Sequence, residues 1–179
     1  MAQRLLIVAF VIAGPISGFA MARSGQSAAP ILGPAALCHT HDGLPDRQCT
    51  PGVRDRRVTQ ANIDRTICRR GYSTRVRPPT SYTGPLKLRQ MRAYGYYAGR
   101  RPSVYEEDHL ISLELGGSPT SPRNLWPQAH YPRPGSYTKD GEENILHRKV
   151  CNGEETLRQA QRDIATNWLR AYRRDHTAR

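Results

Sequence analysis

Glu107-Asp108-His109 is the stretch of this chain whose side chains could do chemistry together. A carboxylate suits a hard divalent cation, and a neutral imidazole can take a proton from water near pH 7. The surrounding residues read as a strand, Tyr105 to Leu115, where neighbouring side chains point to opposite faces. For Asp108 and His109 to serve one centre, that strand needs a local bulge or distortion. Such a pair is common in proteins without any catalytic role, so its weight depends on the residues C-terminal to it.

Those residues are Gly116-Gly117 as a turn, Asn124-Leu125-Trp126 as a short second strand stopped by Pro127, and a helical segment from Lys139 to Val150. On that helix Glu143 and His147 stand four residues apart and share a face, and Asn144 is three residues from His147. Surface pairing of Glu143 with Lys139 or His147 is the alternative reading of the same spacing. The order of the central elements is strand, turn, strand, helix. The basic residues Arg123, Arg148 and Lys149 adjoin these positions and could contact phosphate. Trp126, Tyr131 and Tyr137 could stack on unpaired bases, although a tryptophan is more often part of a core.

The run Asp108-His109-Leu110-Ile111-Ser112-Leu113-Glu114-Leu115-Gly116-Gly117, with Asn124-Leu125 after it, resembles the HNH endonuclease motif. The resemblance covers residues 105–150. It implies an α+β fold with a small ββα-metal (HNH-like) core and flanking helices, here braced by disulfides. It also implies that His109 is the general base that activates water, and that Asp108 is a metal ligand on the same strand. Asn124 would hold the His109 ring by a side-chain hydrogen bond, and His147 with Glu143 would complete the metal site from the helix, with Asn144 as the substitute. The implied cofactor is one divalent metal ion, Mg2+ first, with Mn2+, Ni2+ or Zn2+ as other choices. Two features depart from the commonest pattern: the long span Pro127 to Thr138, and the lack of CxxC knuckles.

Around this centre the chain supplies several supporting elements. Thr59 reads as the N-cap of a short helix over Gln60 to Ile67, and Arg75 to Pro79 reads as extended. A helix with Pro85 in its first turn closes at Gly95. After Asn152-Gly153, Thr156 and Gln159 form a capping box. Leu157, Ala160, Ile164, Trp168 and Tyr172 then make the apolar face of a C-terminal helix.

The first 22 residues read as a cleaved signal peptide: Arg4, an apolar run broken by Pro15, Ser17 and Gly18, then Ala20-Met21-Ala22. That reading implies export to the periplasm or medium and no stable membrane insertion. Residues 23–48 read as a flexible leader and 49–179 as the folded domain. Without its signal the chain keeps a net charge of about +11, from +12 overall, which favours a polyanionic partner such as DNA or RNA. It leaves room for an unidentified inhibitor. Cys38, Cys49, Cys68 and Cys151 suit two disulfides in an exported protein; of three pairings, Cys38–Cys49 and Cys68–Cys151 is preferred. Charge alone does not separate a weakly sequence-specific metal-dependent endonuclease from a non-catalytic exported module that binds nucleic acid or other polyanions. A metal-dependent hydrolase of another substrate is the third reading.

Overall fold

A computed structural model describes residues 37–96 and 101–177; the expected signal peptide and residues 23–36 of the leader lie outside them. Helices and one small sheet share a core, giving an α+β protein with two disulfides. Strand β1 (Tyr105–His109) pairs antiparallel with β2 (Leu125–Ala129), and the pairing runs one residue against one from Tyr105↔Ala129 to His109↔Leu125. Pro127 does not stop β2, and the register explains why. The amide of His130 donates to Val104 and that of Leu110 to Asn124, so the cross-strand pairs 104/130 and 110/124 are hydrogen-bonded. Pairs alternate along an antiparallel ladder. Glu107↔Pro127 therefore falls on a non-bonded position, where the missing N–H costs no ladder bond.

Strand character beyond His109 is overridden. Leu113–Leu115 forms a single 3-10 turn, which Gly116 closes in the left-handed region at φ 69°. This turn lets Leu110, Ile111, Leu113 and Leu115 all enter the core, which a regular strand would not allow.

Helix α1 (Tyr72–Val76) takes in Arg75, leaving only Arg77 to Pro79 extended. Helix α2 (Thr80–Ala93) starts directly after Pro79, so Pro85 lies inside it rather than in its first turn. Helix α3 (Ser136–Cys151) comes after β2 and is longer than the span from Lys139 to Val150. Helix α4 (Leu157–Thr177) starts with the amide of Gln159 donating to the Thr156 hydroxyl, and it packs on α3. Its Leu157, Ala160, Ile164 and Trp168 are buried at the helical spacing read from the sequence. They join Leu110, Ile111, Leu115, Trp126, Leu146 and Val150 in one cluster, so the sheet and the two long helices share a single apolar centre.

Order begins before Thr50. The amides of Leu37 and Cys38 donate to the carbonyl of Ala93, and Cys38 is bonded to Cys49. The leader is thus tied to the end of α2 from residue 37 onward. The second disulfide, Cys68–Cys151, joins the chain before α1 to the end of α3. With their cysteines 11 and 83 positions apart, the two bridges restrict the unfolded chain by about 3 and about 4.5 kcal/mol in a chain-entropy account. Both pairings are those preferred from the sequence, and they fit an oxidising environment. Among the described residues no helix is long and apolar enough to cross a membrane.

Candidate active site

Asp108 and His109 end strand β1 without any bulge, since every residue of the strand has one partner. His109 is the last paired residue, and beyond it the chain turns away from ladder geometry. Both residues line one small cavity of about 40 Å³, which Arg77, Glu106, Glu114, Asp140 and Glu143 also line. In a chain of net charge +12, this is a local concentration of carboxylates.

The His109 ring is buried, and its Nε2 lies 2.9 Å from the carbonyl oxygen of Pro119. A carbonyl can only accept, so Nε2 carries the proton and Nδ1 presents the lone pair. Burial pushes the imidazole below its ordinary value, against the Pro119 carbonyl and the Asp108 charge, which favour the cation. Neutral His109 is therefore the resting form at neutral pH.

Lys139 of α3, whose place in the sequence suggests only a solvated charge, sits at the middle of this site. Its side chain is fully buried. Its ammonium lies 2.8 Å from Asp108 Oδ2, donates to the His109 carbonyl at 2.8 Å, and donates to Glu143 Oε1. Burial alone would lower Lys139; the charges of Asp108 and Glu143 more than offset that and hold it protonated. Burial pushes Glu143 up, with the Lys139 charge opposing it. Desolvation likewise raises Glu106 and Asp140, helped by the nearby Asp108 carboxylate. Two carboxylates from two elements thus converge on one cation. The Lys139–Glu143 pair is the i,i+4 pair visible in the sequence, but it faces the interior rather than solvent.

Asn124 does not hold the His109 ring. Its Oδ1 accepts from the amides of Val53 (3.1 Å) and Ile111 (3.0 Å), and its Nδ2 donates to the carbonyls of Ile111 and Ser118, both at 3.0 Å. All four bonds go to backbone, so Asn124 fixes the loop that carries Pro119 and acts on His109 at one remove. Gly117 serves the same junction: a Cβ there would lie 1.7 Å from the Ile111 carbonyl oxygen and 2.9 Å from Asn124 Nδ2. Asn124 is wholly buried. Asn124→Ala strands several backbone groups at about 1–3 kcal/mol each, so we expect a loss of about 4 kcal/mol or more in urea unfolding. A loss below about 1 kcal/mol would show that water replaces the amide.

His147 lies one turn beyond Glu143 but turns elsewhere. Its Nε2 is 3.0 Å from the Ile67 carbonyl and 3.4 Å from Cys151 Sγ, and its Nδ1 is 3.5 Å from Glu114 Oε2. Cys68, Cys151 and His147 offer ligand atoms within 4.8 Å of one another, a spacing that could hold a metal. In the oxidised protein the two sulfurs are bonded to each other rather than available as thiolates. Asn144 is exposed and donates to the Asp140 carbonyl, outside the cavity. Arg123 and Arg148 are exposed, whereas Lys149 is paired with Asp175 at 2.7 Å. Arg77 is the basic residue that lines the cavity itself, a role its extended, proline-flanked position gave no sign of. Glu107 faces away from Lys139; burial pushes it up to about 8, and neither carboxyl oxygen has a hydrogen-bond partner among the described residues.

In comparisons with protein-family models, curated proteins and solved structures, nothing matches this chain.

Proposed function

We propose that this protein is an HNH-type endonuclease that hydrolyses phosphodiester bonds of DNA or RNA with low sequence specificity, using one divalent metal ion. The observation that carries the reading is a buried, neutral His109 beside two carboxylates, Asp108 and Glu143, that converge on one cation position. The strand–strand–helix order of β1, β2 and α3 supports it, being the order that the sequence resemblance implies.

Asp108 and Glu143 fit a hard divalent cation, because both already direct an oxygen at a single positive charge. They would hold the metal; His147, turned toward Ile67 and Glu114, is not directed at that position. When bound, the ion supplies positive charge to the leaving oxygen. The protein's own groups do the rest. Pro119 fixes the His109 tautomer, and Nδ1 takes the proton of the attacking water. Arg77, exposed at the rim, pairs with a phosphate oxygen and offsets the repulsion between substrate and carboxylates. The charge of +12 draws polyanions to the surface without reading sequence.

A second reading has one observation in its favour: the Lys139 ammonium already fills the cation position, as it would in a non-catalytic exported module that only binds nucleic acid or other polyanions. The test is cleavage of supercoiled plasmid and of single-stranded RNA by the purified protein with Mg2+, Mn2+, Ni2+ or Zn2+. Nicked or shortened product that EDTA abolishes is the expected result. Retarded but uncut nucleic acid in every metal would leave the binding module.

A further inference from the structure

The cluster of Cys68, Cys151 and His147 lies outside the acidic cavity, where the end of α3 is tied to the chain before α1. All three residues are half-buried, and the His147 side chain is 26% exposed. The cluster therefore sits at the surface rather than in the core. Its donor set also differs from that of the cavity. Thiolates are soft ligands and imidazole suits zinc, so this set selects zinc over the hard cations that carboxylates hold.

The spacing is that of a zinc site with a disulfide closed across it. With Zn–S of about 2.3 Å and Zn–N of about 2.0 Å, sulfur and nitrogen of a tetrahedral site stand about 3.5 Å apart. Cys151 Sγ and His147 Nε2 are already 3.4 Å apart. They belong to one helical face, since the two residues are four positions apart on α3. Two sulfurs on one zinc stand about 3.8 Å apart, a separation reached by opening the disulfide and rotating the two side chains. The Cα atoms of Cys68 and Cys151, 5.6 Å apart, are close enough for that rotation to suffice. Nε2 of His147 now donates to the Ile67 carbonyl at 3.0 Å, so metal binding there requires its proton on Nδ1 instead. Glu114 Oε2 stands 3.5 Å from Nδ1 and favours a proton at that nitrogen. A carboxylate behind a metal-bound imidazole is what orients such rings in zinc sites.

We propose that Cys68, Cys151 and His147 form a zinc site in the dithiol form of this chain, so that α3 is tied to the chain before α1 either by a disulfide or by a Zn2+ ion. Thiol–disulfide exchange interconverts the two forms. A dithiol reductant gives two electrons and two protons to the Cys68–Cys151 bond and is itself left as a disulfide. Zn2+ then displaces both thiol protons, because the thiolate is the ligand. In reverse, a disulfide donor accepts the two electrons and leaves as a dithiol with two protons from water, while the sulfurs rejoin and the ion departs. Three protein ligands leave the fourth position of the tetrahedron to water. The proposal is independent of the nuclease reading, since the two sulfurs and His147 take no part in the acidic cavity.

The test is zinc uptake by the full-length chain, oxidised and after reduction with a phosphine, because a dithiol reagent would itself hold the metal. Competition with a chromophoric chelator should show that reduction adds a Zn2+ site at least a hundredfold tighter than any the oxidised chain offers. His147→Ala should weaken that site at least tenfold. Glu114→Gln should weaken it about tenfold, the low end for a carboxylate behind a ligating imidazole. Both variants keep all four cysteines, so zinc held instead at Cys38 and Cys49 would leave the affinity unmoved. No gain of zinc on reduction, or equal affinity in the wild type and His147→Ala, would overturn the proposal. Should a variant fail to fold, alkylation of the reduced wild type decides, with peptide mapping to place each modification. Zn2+ should slow the modification of Cys68 and Cys151 at least tenfold, and unprotected thiols at those two positions sink the site.

Discussion

His109→Ala is expected to lower the cleavage rate by about 10²–10⁴-fold, the range that a positioned general base supplies, with little change in KM. The split arises from what the ring touches. It is bonded to the Pro119 carbonyl and carries no charge at neutral pH, so in the proposed reaction it would serve proton removal rather than hold phosphate. The wild-type pH profile should carry the same signature. A base must be neutral, and burial holds His109 below the ordinary imidazole value. The rate should therefore stay high as pH falls through the usual histidine range, and be lost only when pH passes the depressed value. The variant should lack that limb. Circular dichroism melts check that the small cavity left by the ring has not unfolded the domain. A variant that cuts as fast as the wild type would assign the proton to another group.

Much of this centre can be read from residue types, and the parts that cannot share a physical cause. Asp108 and His109 announce themselves because few side chains hold a cation or take a proton at neutral pH. The α4 face could likewise be read in advance from periodicity, whereas four cysteines leave three pairings open and their spacing only favours the one that forms. What stays hidden depends on backbone that is distant in sequence. Asn124 reads as a partner for the ring until Val53, 71 residues away, is seen to occupy its oxygen. His147 shares a helical face with Glu143, but the Ile67 carbonyl, 80 residues off, draws it aside. Pro127 reads as a strand breaker because the alternation of bonded pairs cannot be counted before the register is known. Lys139 is the hardest. A lysine in an amphipathic helix reads as solvated charge, and only the convergence of β1 on α3 buries it.

That burial makes Lys139→Met the most informative substitution after His109. Methionine keeps nearly the length of the stem but removes the charge, leaving Asp108 and Glu143 facing one another without a counterion. Breaking a buried ion pair from one side costs about 3–5 kcal/mol. The lower end is expected here, since burial already pushes Glu143 toward its protonated form and lets it shed its charge. In EDTA the variant should therefore melt well below the wild type. Divalent metal should then act on the two proteins differently. In the wild type an incoming ion must compete with an ammonium 2.8 Å from Asp108, whereas in the variant the position is open. At a hundredfold excess over its dissociation constant, an ion that binds only the folded variant returns about 2.7 kcal/mol. Mn2+ or Mg2+ should thus recover most of the lost stability in Lys139→Met while moving the wild type much less. If the variant melts equally low with and without metal, Asp108 and Glu143 serve only to seat the lysine, and the cation of this site is the protein's own.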